Sequence, residues 1–223
     1  MFPLRDTQPS YSRPVVNIAL IAANLLIFLF EYSLGPRTLN GFIEYYGLVP
    51  DHFQLSRVFI SMFLHGGWMH VLGNMLFLWV FGGRIEDLLG HGKYLVFYLL
   101  SGTVAALGQV IASPYSTVPV VGASGAIAGV MGAYLIKFPR ARILTLVFVI
   151  IFVTTIEIPA PIMLGYWFVI QLFSGLGSIA RTNLSQGGTA YFAHIAGFLA
   201  GMLLVSVMGT SDRYNRRRDR YWE

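Results

Sequence analysis

The sequence contains no cysteine. That removes thiol nucleophiles, thiolate metal sites and a disulfide scaffold together, and leaves the redox compartment open. Charge is the second shortage. Lys, Arg, Asp and Glu make up only 11% of the 223 residues, against about 25% in a soluble domain. So few charges do not coat a water-facing globule of this size, and they exclude a disordered chain as well. The 56% of apolar residue types and a mean hydropathy of +0.65 point the same way. A net charge of +5 would suit nucleic acid, but the basic residues stand between apolar runs rather than in a patch, so no nucleic-acid partner is expected. The composition is that of an integral membrane protein, with the lipid bilayer as its first partner.

Stretches free of Lys, Arg, Asp and Glu locate the spans: 14–30, 58–83, 94–136, 143–156, 158–180 and 182–211. A helix needs about 20 largely apolar residues to cross the hydrocarbon. Spans are expected at 15–33, 68–83, 94–112, 122–137, 161–179 and 190–208, the third and fourth separated by the turn chemistry of Ser113-Pro114-Tyr115 to Pro119. The run 143–156 is short, rich in Val, Ile and Thr, and ends in Glu157-Ile158-Pro159-Ala160-Pro161; a run of this length suits an interfacial or buried piece.

Basic residues fix the orientation. With six spans, 12 Lys and Arg fall on the side of the two termini and 3 (Arg37, Arg57, Arg181) on the other. A seventh span at 143–156 would place the Arg213–Arg220 tail outside. The sequence therefore divides into a cytoplasmic N-terminal tail, 1–14, an all-α membrane domain, 15–208, and a basic cytoplasmic C-terminal tail, 209–223. The first apolar run lacks a small-residue cleavage site and reads as a retained helix rather than a signal peptide. The compact chain leads to the expectation of a bacterial cytoplasmic membrane. Nothing in it specifies an oligomeric state.

Polar groups inside spans are costly and suggest function. His70 and Asn74 lie four apart in the second span, on one helical face. Ser124 opens the fourth within Gly122-Ala123-Ser124-Gly125-Ala126, and His194 lies near the start of the sixth in Ala193-His194-Ile195-Ala196-Gly197. The second, fourth and sixth helices all enter from the outside, so the four residues share one depth. Gly125 and Gly129, and Ala193, Gly197 and Gly201, repeat every four residues, a spacing that lets two helix backbones approach closely. Taken singly, each polar residue also fits a structural part: the serine bonding its own backbone, the others bridging helices.

A shared depth and a Gly-flanked serine favour a nucleophilic site. A serine hydroxyl needs an adjacent base, and His194 is the best placed. Attack on an amide carbonyl builds charge on oxygen, for which the Asn74 amide, the His70 imidazole and the Ser124 backbone N–H are candidate donors. This chemistry requires no cofactor and no metal. His-Glu-x-x-His is absent, the five Asp all lie outside the spans, and Ala126 occupies the last position of a Gly-x-Ser-x-Gly elbow. The broken spans and internal duplication of a transporter are not visible either.

At these residues the sequence resembles the rhomboid family of intramembrane serine proteases. The resemblance covers about 55–208 and is carried by four segments in family order. They are His65-Gly66-Gly67-Trp68-Met69-His70-Val71-Leu72-Gly73-Asn74-Met75, Gly82-Gly83-Arg84-Ile85-Glu86, Gly122-Ala123-Ser124-Gly125 and Ala193-His194-Ile195-Ala196-Gly197. It implies a six-helix bundle with a cavity open to the outside. It also implies a Ser124–His194 dyad without an acid partner, and His70 with Asn74 at the oxyanion site. The substrates implied are single-span transmembrane proteins. Two positions depart from the family: Ser56-Arg57 stands where Trp-Arg is common, and Ala128 where some members stack an aromatic on the histidine. An inactive rhomboid-like protein that binds or escorts membrane proteins is the alternative; retention of both Ser124 and His194 favours the enzyme.

Overall fold

The computed structural model of the chain describes residues 2–8, 11–149, 152–180 and 190–210. A short strand, β1 (Phe2–Asp6), precedes the first long helix, α1 (Val15–Ser33). The connection that follows carries α2 (Gly35–Tyr46), a 3-10 turn (Pro50–His52) and α3 (Leu55–Ser61). Next, α4 (Trp68–Phe77) runs through a π-helical turn (Leu78–Gly82) into α5 (Gly83–Leu89), and α6 (His91–Ala112) and α7 (Ser124–Lys137) follow. The chain then forms β2 (Arg142–Val149) and β3 (Phe152–Pro159), and ends its described part with α8 (Ala160–Ala180) and α9 (Tyr191–Val207).

The fold is mostly helical and its apolar helices make it a multi-pass membrane protein. Among the described residues three helices, α1, α6 and the Ala160–Gly177 part of α8, are long and apolar enough to cross a bilayer. The apolar helices α7 and α9 are shorter. The second expected span is a composite: the helical path runs without a break from Trp68 to Leu89. Its π turn widens the backbone ladder, and the Asn17 amide donates to the carbonyl of Leu78 at 3.0 Å, supplying a partner inside the protein. Gly82 lets Asn17 come this close, since a Cβ there would overlap the Asn17 side chain.

The all-α expectation needs one correction. Strands β2 and β3 pair antiparallel, and β1 pairs with β2 on its other side, giving the order β1-β2-β3. Ile143 stands opposite Ile158 and Asp6 opposite Ile143. Runs of Val, Ile, Thr and Phe prefer extended backbone, and this one is too short to span as a helix. The segment expected as an N-terminal tail therefore supplies a strand. Asp6 ties the sheet to the helices: Arg84 donates to both its carboxylate oxygens, and the Tyr134 hydroxyl donates to it at 2.8 Å. Arg181 and the Arg213–Arg220 tail lie outside the described residues.

The centre of the bundle is the α6–α7–α9 contact, and small residues produce it as the spacing predicts. A methyl on Gly197 would overlap the carbonyl oxygen of Gly125, and one on Gly201 that of Gly129. A Cβ on Gly125 would stand 2.6 Å from Ala105 of α6. With no side chain between them, α7 and α9 approach backbone to backbone, and the N-terminal turns of both helices meet.

Candidate active site

Ser124 is the first residue of α7, where backbone N–H groups have no intrahelical partner. The chain reaches it through Gly122, whose φ of +120° is a conformation that favours glycine. Gly122 N–H donates to the carbonyl of Ser61 at 2.8 Å, and the Leu48–Val120 bridge binds the same approach to the first connection. The serine is thus presented on a turn fixed from both sides.

His194 comes from α9, one turn from Gly197 on the seam. Its Nε2 lies 2.8 Å from the Ser124 hydroxyl. Its Nδ1 lies 2.8 Å from the side-chain oxygen of Gln171 on α8. An amide oxygen only accepts, so Nδ1 carries the proton, and Nε2 presents its lone pair to the serine O–H. The imidazole is 8% exposed, and Trp167 packs beside it with ring centroids 5.7 Å apart. Behind them Trp167 and Phe168 both stack on Phe198 of α9, which fixes α8 against the histidine helix.

His70 and Asn74, both on α4, approach the same place from the other side. A Cβ built on Gly122 would stand 2.7 Å from His70 Nε2 and 3.5 Å from Asn74 Nδ2. The two side chains therefore line the turn two residues ahead of Ser124. Asn74 also donates to Nε2 of His65 at 2.9 Å, while His65 Nδ1–H donates to the carbonyl of Phe63. Burial, reinforced by the neighbouring His70 imidazole, lowers the His65 pKa to about 4, so this loop histidine stays neutral and can accept. Its backbone N–H donates to the buried carboxylate of Glu31 on α1 at 3.1 Å.

All four side chains expected at the site from the sequence thus converge in two pairs around the start of α7. The family model of the rhomboid domain matches residues 52–211, which contain every one of them. The chain belongs to the rhomboid family. Rhomboid protein 1, mitochondrial, of Saccharomyces cerevisiae is 32% identical over 168 residues, 73% of this chain and 45% of the yeast protein. Rhomboid protease GluP of Bacillus subtilis is 27% identical over 201 residues, 88% of this chain and 35% of that one. Rhomboid protease GlpG of Salmonella choleraesuis is 27% identical over 220 residues, 97% of this chain and 70% of that one. This rhomboid spans less than half the length of the yeast and Bacillus relatives.

Three residues of the rhomboid site went unassigned in the sequence. His65 stands in the first family segment without a role of its own, and neither Glu31 nor Gln171 carries an expectation. The available signal for Gln171 was its position as the only amide in the charge-free run 158–180. Of the two departures from the family pattern, Arg57 lies over the Tyr45 ring at 5.7 Å. Ala128 is fully buried, and the aromatic beside His194 comes instead from Trp167.

Proposed function

We propose that this rhomboid is an intramembrane serine endopeptidase, with Ser124 as nucleophile and His194 as general base. The observation that carries the reading is the 2.8 Å contact between His194 Nε2 and the Ser124 hydroxyl, with the imidazole lone pair directed at the serine. As Oγ attacks the scissile carbonyl, its proton passes to Nε2 and the carbonyl oxygen becomes an oxyanion. The Asn74 amide, the His70 imidazole and the Ser124 backbone N–H are the donors proposed to stabilise it. Collapse of the tetrahedral intermediate breaks the C–N bond, and His194 returns the proton to the leaving amine. A water, deprotonated by His194 in its turn, then hydrolyses the acyl-Ser124 ester and regenerates both groups.

The setting proposed for this chemistry is a six-span bundle with both termini cytoplasmic and a cavity open to the outside. The substrates are single-span membrane proteins whose helices unwind near small residues. The names of the Bacillus and Salmonella relatives, both rhomboid proteases, support the activity.

A serine-directed fluorophosphonate tests the reading. The intact protein should form a covalent adduct on Ser124, and His194→Ala should abolish it. An intact, folded protein that stays unlabelled would favour the inactive binder, which needs no activated hydroxyl.

A further inference from the structure

A base that works as a pair with serine must keep one nitrogen protonated and the other free. In this rhomboid the group that does so is an uncharged amide. Among the described residues the side chains hydrogen-bonded to His194 are Ser124, at Nε2, and Gln171, at Nδ1; no carboxylate reaches the ring. Gln171 is only 8% exposed, on a largely apolar helix, and in such surroundings a hydrogen bond is stronger than in water. Trp167 lies one turn earlier on α8, and residues four apart share a helix face. The ring contact and the hydrogen-bond acceptor therefore reach His194 from one rigid surface, while Ala128 on the serine helix contributes nothing beyond a methyl.

We propose that Gln171 is a positioning residue for His194, its amide oxygen holding the imidazole in the tautomer that leaves Nε2 free to take the Ser124 proton. The same acceptor stays in place when the ring becomes imidazolium, so the hydrogen bond strengthens as charge develops. The alternative orientation of the amide, with its NH2 toward Nδ1, would force the proton to Nε2 and turn the base into a donor. The inference rests on the proposed serine-protease function and concerns how the base is held, not whether the site is one.

The test uses the purified full chain with a single-span substrate, and measures kcat, KM, the rate of fluorophosphonate labelling at Ser124 and the melting temperature. Gln171→Met keeps the length and removes the acceptor. It should lower kcat and the labelling rate about 10-fold, the scale of one hydrogen bond on a reacting group, with KM unchanged. Gln171→Glu restores an oxygen acceptor whether ionised or neutral, and should recover most of both rates. If Gln171→Met does not fold, Gln171→Asn, whose oxygen is withdrawn by one methylene, should show the same loss. Undiminished rates without the acceptor would overturn the proposal, as would equal losses in the Met and Glu variants that follow the melting temperature. An intact protein that neither cleaves nor labels would instead refute the functional reading itself.

Discussion

The amide of Asn74 donates to Nε2 of His65 across 2.9 Å. One of its two N–H groups is thereby committed to a neutral histidine, and the carboxamide is held facing the Gly122 turn that delivers Ser124. Glu31 accepts the backbone N–H of His65, so the chain of fixation extends to α1. A hydrogen-bond donor aimed at developing charge acts best when its orientation is set in advance.

Asn74→Ala should therefore lower kcat by about 10-fold or more, with KM little changed. His65→Ala should give a smaller loss in the same direction, because the donor survives but its restraint does not. Steady-state kinetics and thermal melts on the same preparations check this. A large melting shift with unaltered kcat would assign Asn74 to helix bridging instead.

The opposite end of the bundle should behave differently. Glu86 is fully buried and accepts the backbone N–H groups of Val16 and Asn17 at 2.9 and 2.7 Å, two donors at the start of α1 that have no intrahelical partner. Glu86→Leu strands both, at about 1–3 kcal/mol each. Twelve residue steps, or about 18 Å, separate Glu86 from Asn74 along one helical path. The melting temperature should fall while kcat of the folded fraction stays near normal. A selective loss of kcat would place Glu86 in the reaction.

Gly201 tests the α7–α9 seam. A methyl there overlaps the carbonyl oxygen of Gly129, and two backbones leave no flexible side chain to move aside. Gly201→Val should destabilise by about 1–3 kcal/mol or more through overpacking. Because α9 carries His194, the surviving folded protein should also lose turnover. Gly177, whose Cβ would meet nothing within 4 Å, is the control position, and Gly177→Ala should be silent in both measurements.

The parts legible in the sequence were those with a periodic or compositional signature. Small residues every four positions marked the α7–α9 seam, and the rarity of polar groups in apolar runs marked Ser124, His194, His70 and Asn74. Strands β2 and β3 read in the sequence only as a run too short to span, because composition does not reveal that Phe2–Asp6, far away in sequence, pairs along their outer edge. Gln171 and His65 carry no spacing signal. Gln171 acts through a contact made only when α8 and α9 meet, and His65 acts from a loop, on Asn74 nine residues later and on Glu31 of α1; a lone glutamine in an apolar helix reads like any other. Trp167 was hidden for a related reason: an aromatic in a span is ordinary until a histidine is found beside it.

If Ser124 and His194 form one hydrolytic unit, the kinetics of three variants will show it. The protein, reconstituted in lipid vesicles with a single-span substrate, should cleave it, and Ser124→Ala and His194→Ala should each abolish cleavage while the proteins still insert and fold. The double variant should be no worse than either single one, since groups that act as a unit are strongly non-additive. Cleavage that persists without Ser124, or losses that add in the double variant, would rule out the Ser124–His194 unit.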